Sequence, residues 1–146
     1  MPPRSLSSYC HWFYAAALYN ALWGALNIFF PHWFFDLIRM PLEYSPLWQV
    51  IGPLWRVIAM MVGVYAPAYW WTARHPERYP HFIVIGLLGK VLGPIGFAWA
   101  CYHGQLPLRF GVTILTNDLI WWPAFALYLR DSARLRGGWA PILRGD

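Results

Sequence analysis

The sequence predicts an all-α integral membrane protein: a bundle of four transmembrane helices with a short interfacial helix between spans one and two. Three observations predict it. Charged residues make up only 12% of the chain, against roughly 25% in soluble domains. Hydrophobic residues make up 59% of the 146 positions and aromatics 20%, more apolar side chain than a soluble interior of this size can hide. The apolar residues also gather into four stretches of about 20, each able to cross a hydrocarbon core of ~30 Å at about 1.5 Å per residue. In lipid the backbone must satisfy its own hydrogen bonds, and a single apolar run does so only as a helix. The strict alternation of a membrane β-strand is absent.

The elements follow in order. Arg4 precedes the first stretch, residues 9–30. No small-residue cleavage site follows it, so it reads as a retained span and not a signal peptide. The next join, 31–48, holds His32-Trp33-Phe34-Phe35-Asp36-Leu37-Ile38-Arg39-Met40, too short to span and too apolar to float. Pro31 suits a helical first turn, Asp36 and Arg39 are spaced to pair on one face, and the segment reads as a helix lying in the interface. Span two is 49–72. Arg74-His75-Pro76-Glu77-Arg78-Tyr79-Pro80 is a polar, proline-flanked turn into span three, 81–102. His103-Gly104-Gln105-Leu106-Pro107-Leu108-Arg109 joins it to span four, 110–129, and residues 135–146 form a basic tail. The whole chain, 1–146, reads as one transmembrane domain.

Orientation follows from the cations. Arg4, Arg74, Arg78, Arg130, Arg134, Arg136 and Arg144 fall on one side, Arg39 and Arg109 on the other, and Arg56 and Lys90 inside spans. The positive-inside bias puts the first group and both termini in the cytoplasm. Tryptophan and tyrosine crowd the span ends as interfacial belts do. This placement accounts for the net charge of +5 without a nucleic-acid surface, since no basic run is long enough to track phosphates.

Lys90 and Asp118 are the residues most able to carry chemistry, because an ionisable group deep in a membrane is costly. Spans three and four form a hairpin whose joining loop centres on Gly104, midway between 90 and 118. Each residue therefore lies about ten positions from a span end, roughly 15 Å deep, and a Lys90–Asp118 pair there would neutralise both charges. Gly86, Lys90, Gly93 and Phe97 follow helical spacing, with Gly89 and Gly96 adjacent, and Gly89-x-x-x-Gly93 is a small-residue pattern for close helix packing. Pro94 frees a backbone carbonyl near Lys90. Asn117 and Thr116 flank Asp118, Asn20 lies in mid-span one, and Arg56 is placed to snorkel outward or to reach Asp118. This cluster reads as glue fixing the register of the bundle, as a relay, or as a pocket for a small polar ligand.

Other chemistry finds no motif. No histidine lies in mid-span to hold a haem: His11, His75 and His81 fall at one face and His32 and His103 at the other. Cys10 and Cys101 are placed at opposite faces and make no metal or redox spacing. The carboxylates Asp36, Glu43 and Glu77 are scattered. No nucleophile elbow, phosphate loop or dinucleotide fingerprint occurs. The cofactor class left open is a pigment or lipid held at the interface, without a haem or metal motif.

The strings LWQVIGPLWRVIAMMVGVYAPAYW, GLLGKVLGPIGF and TILTNDLIWWPAF resemble a group of small four-span bacterial membrane proteins, similar in size and layout to DoxX-like proteins. The resemblance covers most of the chain. It implies the bacterial inner membrane and assigns no residue a role. The expected function is a non-catalytic accessory subunit of a larger energy-transducing membrane complex, photosynthetic or respiratory, with the bilayer and other membrane subunits as partners. The alternatives are a small transport or ligand-binding protein built on Lys90 and Asp118, and a membrane enzyme acting on a quinone or lipid.

Overall fold

The computed structural model describes residues 5–40, 42 and 45–145. Arg4, Glu43 and the final tail residue Asp146 lie outside the described residues. The fold is 81% helix, with no strand among the described residues. After a 3-10 turn at Leu6–Tyr9 come α1 (Cys10–Phe29), α2 (His32–Leu37), α3 (Trp48–Arg74), α4 (Pro80–Tyr102), α5 (Gly111–Asn117), α6 (Trp122–Leu135) and α7 (Ala140–Arg144). Short 3-10 turns, Leu108–Phe110 and Leu119–Trp121, precede α5 and α6. Three helical stretches are long and apolar enough to cross a membrane: α3, α4 and Leu108–Leu135. The 20 residues of α1 are not among them, because His11, Asn20, Asn27 and its Trp and Tyr residues dilute its apolar side chains.

α1 packs along α3 more extensively than any other pair of helices. The reason is visible at Gly24, where a β-carbon would stand 3.1 Å from both the Ala59 carbonyl and the Gly63 Cα. Two backbones meet this closely only where small residues face each other. Asn27, fully buried, then locks the pair. It accepts from Trp55 Nε1 (2.7 Å) and donates to the Trp23 carbonyl (2.8 Å). Gly24→Leu is therefore expected to destabilise the fold by about 1–3 kcal/mol through overpacking, with Ala25→Leu, on the exposed face, as the neutral control. Reversible unfolding in mixed micelles reads the difference.

α2 is seated more deeply than an interfacial helix resting on a surface. Phe34, Phe35 and Ile38 are buried with Trp23, Trp55 and Ala59, and Phe34 stacks on Trp55 at 5.1 Å. The expected Asp36–Arg39 pair does not form. α2 ends at Leu37, and although the Arg39 amide still bonds the Asp36 carbonyl at 2.9 Å, Arg39 takes a left-handed φ of 55° and leaves the helical conformation that the pairing needs. A second cluster, Tyr9, Phe13, Tyr69, Ile83, Phe125 and Tyr128, fills the other end of the bundle. There the turn after α3 is tied down by the Tyr128 hydroxyl, which donates to the Pro76 carbonyl, and by Arg136, which donates to that of Glu77. The tail folds back as α7, with Ile142 fully buried against α4 and α6.

Candidate functional site: a polar cavity at mid-helix depth

The fourth apolar stretch is not the continuous helix over 110–129 that the sequence suggested. It breaks at Asp118, whose φ and ψ are −118° and −65°. Pro123 explains the break. It has no N–H to continue the ladder and crowds the carbonyl four residues back, whereas in the first turn of α6, where it sits, neither matters. Across the break the Trp121 amide bonds the Asp118 carbonyl at 3.2 Å. The carbonyls of the last α5 turn are met by side chains instead. Trp121 Nε1 donates to that of Thr116 (3.1 Å), and Lys90 Nζ donates to that of Asn117.

Lys90 is thus anchored at the negative end of α5, 4% exposed, with its ammonium over the Tyr69 ring at 5.9 Å. The Lys90–Asp118 ion pair expected from the sequence does not form; among the described residues the paired ions are Arg130 and Asp131 (3.0 Å). The freed Asn117 carbonyl takes the lysine, and Asn117 Nδ2 holds Asp118 Oδ1 at 3.0 Å. Pro94 acts as its spacing suggests. The Lys90 carbonyl, four residues before it, accepts from Trp122 Nε1 at 3.1 Å, which fixes α4 to the start of α6.

The glycine stripe on α4 makes room for side chains more than for a facing backbone. A β-carbon at Gly86 would stand 2.5 Å from the Tyr69 hydroxyl and one at Gly93 2.8 Å from Asp118 Oδ2. At Gly89 the nearest atom is the Tyr65 hydroxyl at 3.7 Å, and Gly96 faces open space.

Four of the sequence-predicted residues, Asn20, Lys90, Asn117 and Asp118, line one cavity of about 390 Å³ together with Tyr65, Tyr69, Gly86, Gly89, Gly93 and the apolar Ile58, Met61 and Val62. Arg56 is not among them. It is exposed and donates from Nε to the Ile28 carbonyl (3.3 Å), the outward of its two alternatives. Thr116 is also turned away, bonded to Tyr19 (2.9 Å) and to the Val112 carbonyl. Two cavity oxygens, Asn20 Oδ1 and Asn117 Oδ1, are buried without a hydrogen-bond partner. Asn20 is itself only 2% exposed. His32 Nδ1, Trp33 Nε1, His81 Nδ1 and Ser132 Oγ are likewise unpaired elsewhere in the fold, and each such atom costs about 1–3 kcal/mol; the cavity is where two of them face the same space. No family model, curated protein or solved structure matches the chain.

Sequence reasoning missed Tyr65, Tyr69 and Trp122. All three look like ordinary belt or core aromatics until the register of α3 and the break in span four are known. It also passed over Asp131. That carboxylate is 1% exposed and accepts from the Tyr9 hydroxyl at 2.7 Å, a tie between the start of the chain and the end of α6. Among the described residues no three His, Cys, Asp or Glu side chains gather as metal ligands. The histidines serve ring contacts, such as His32 on Trp48 at 4.1 Å.

Proposed function

We propose that this chain is a small ligand-binding membrane protein whose polar cavity around Lys90, Asp118, Asn117 and Asn20 holds a polar group inside the bilayer. The observation that carries the reading is the convergence of these four side chains, from three separate helical stretches, on one cavity with two unpaired oxygens. A network serving only as glue would close on itself, since half-satisfied buried networks cost stability. The backbone break supports the same reading, because non-helical backbone at membrane depth is tolerated where it lines a cavity or is buried in protein.

The proposal includes the finer architecture. α1 also crosses the membrane, which brings the spans to four, supported by its length and by its packing along α3. Both termini are cytoplasmic and the membrane is the bacterial inner membrane, in keeping with the arginine distribution and the DoxX-like layout. The accessory-subunit role rests on composition alone, and the cavity adds nothing to it. To test the proposal, wild type and the Lys90→Met, Asp118→Leu protein are extracted in mild detergent and their bound small molecules compared by mass spectrometry. The expected result is a compound enriched on wild type and absent from the variant. Equal profiles on both would refute the binding role.

A further inference from the structure

The cavity has a mouth, and its place along the helices restricts what can pass through it. The rim consists of Ile58 and Met61 on α3, 46% and 63% exposed, and of the exposed Gly89 on α4. Met61 is 13 residues from each end of α3, whose limits are Trp48 and Arg74. At about 1.5 Å per residue that is roughly 20 Å from either end. Gly89 lies 9 residues from the start of α4 and 13 from its end, Pro80 and Tyr102. In a bilayer with a core of ~30 Å, such a rim opens on hydrocarbon and not on water.

The floor has a different character. Asn20, Lys90 and Asp118 are 2%, 4% and 5% exposed. Lys90 has three N–H bonds, one of them on the Asn117 carbonyl. Asp118 takes one hydrogen bond, from Asn117, leaving it acceptor capacity. The two formal charges offset each other, so the site does not call for an ionic guest. The unpaired oxygens of Asn20 and Asn117 need donors, and the remaining Lys90 N–H bonds need an acceptor. A hydroxyl supplies both.

We infer that the guest is a lipophilic molecule with an uncharged, hydroxyl-bearing head, and that it moves sideways from the bilayer into the cavity between α3 and α4. This rests on the reading of the cavity as a binding site. Its tail would lie against Ile58, Met61 and Val62, while its head reaches Asn20, Asn117 and Lys90.

The test uses the full-length chain in lipid nanodiscs and a long-chain primary alcohol carrying a diazirine beside its hydroxyl. Photolysis should label peptides containing Tyr65 or Gly89, saturably. An unlabelled long-chain alcohol should compete, and the alkane of equal length should not. Asn20→Leu should weaken the competition about tenfold, the equivalent of one hydrogen bond to a buried group. Met61→Trp, which narrows the rim, should slow labelling without lowering its saturated extent, and should leave elution volume and helix content unchanged. Competition by a short, water-soluble alcohol as strong as by the long one, with Met61→Trp without effect, would overturn sideways access yet leave a binding cavity. Competition by the alkane equal to that by the alcohol would overturn the hydroxyl head. If the long-chain alcohol gives no saturable label while wild type still carries a compound that the Lys90→Met, Asp118→Leu protein lacks, the inferred class is wrong and the binding role stands.

Discussion

Lys90→Met alone is expected to destabilise the protein by about 1–3 kcal/mol, the cost of leaving the buried Asn117 carbonyl without its donor. The substitution keeps the length and apolar stem of the side chain, so little packing is lost. What remains is an Asn117 carbonyl without its donor and an Asp118 carboxylate without a neighbouring cation, both in a cavity where water does not replace them. Adding Asp118→Leu removes the carboxylate left without a nearby cation and should recover part of the loss. Recovery will be incomplete by about 1 kcal/mol, since the Asn117 carbonyl stays unmet. A double-mutant cycle from unfolding in mixed micelles measures this coupling. Additive single effects would mean that the two residues do not share a site.

The second large effect is expected at Gly86. A methyl there would stand 2.5 Å from the Tyr69 hydroxyl and 2.8 Å from the Cε1 of its ring. Tyr69 is 1% exposed and packs edge-on against Phe125 at 5.2 Å, so the ring can yield only by turning into the cavity it lines. Gly86→Ala should therefore cost about 1–3 kcal/mol, although alanine is the better helix former. In a Tyr69→Leu background the cost should shrink to a few tenths or change sign, as propensity favours alanine over glycine by about 1 kcal/mol. The same pair of unfolding curves, with and without Tyr69, separates steric conflict from any general intolerance of α4.

The boundaries of the helices were largely legible in the sequence, because bilayer thickness and backbone hydrogen bonding leave few alternatives. The spans expected at 49–72 and 81–102 appear as Trp48–Arg74 and Pro80–Tyr102. The fourth stretch was misjudged as continuous. Pro123 is flanked by apolar residues on both sides, so hydropathy runs unbroken through the point where the backbone does not. Lys90 and Asp118 line one cavity, although they form no ion pair. The depth match between residues 90 and 118 did not foresee that a broken helix would offer Lys90 a backbone carbonyl. Asn20 was legible as a mid-span polar residue. Tyr69 and Trp122 were not, since a tyrosine or tryptophan in such a chain is ordinary, and only tertiary register shows which ones face the lysine. The close approach at Gly24 and Gly63 also escaped notice, because the two glycines lie on different helices and form no motif along the chain.

The most direct test of the central claim is an experimental density map of the protein, taken from its native membrane into nanodiscs without full delipidation. The account predicts non-protein density in the cavity, within hydrogen-bond distance of Asn20 and Asn117. A cavity closed by repacked side chains, with the Oδ1 atoms of both asparagines bonded to protein, would contradict it and return the cluster to a purely structural role.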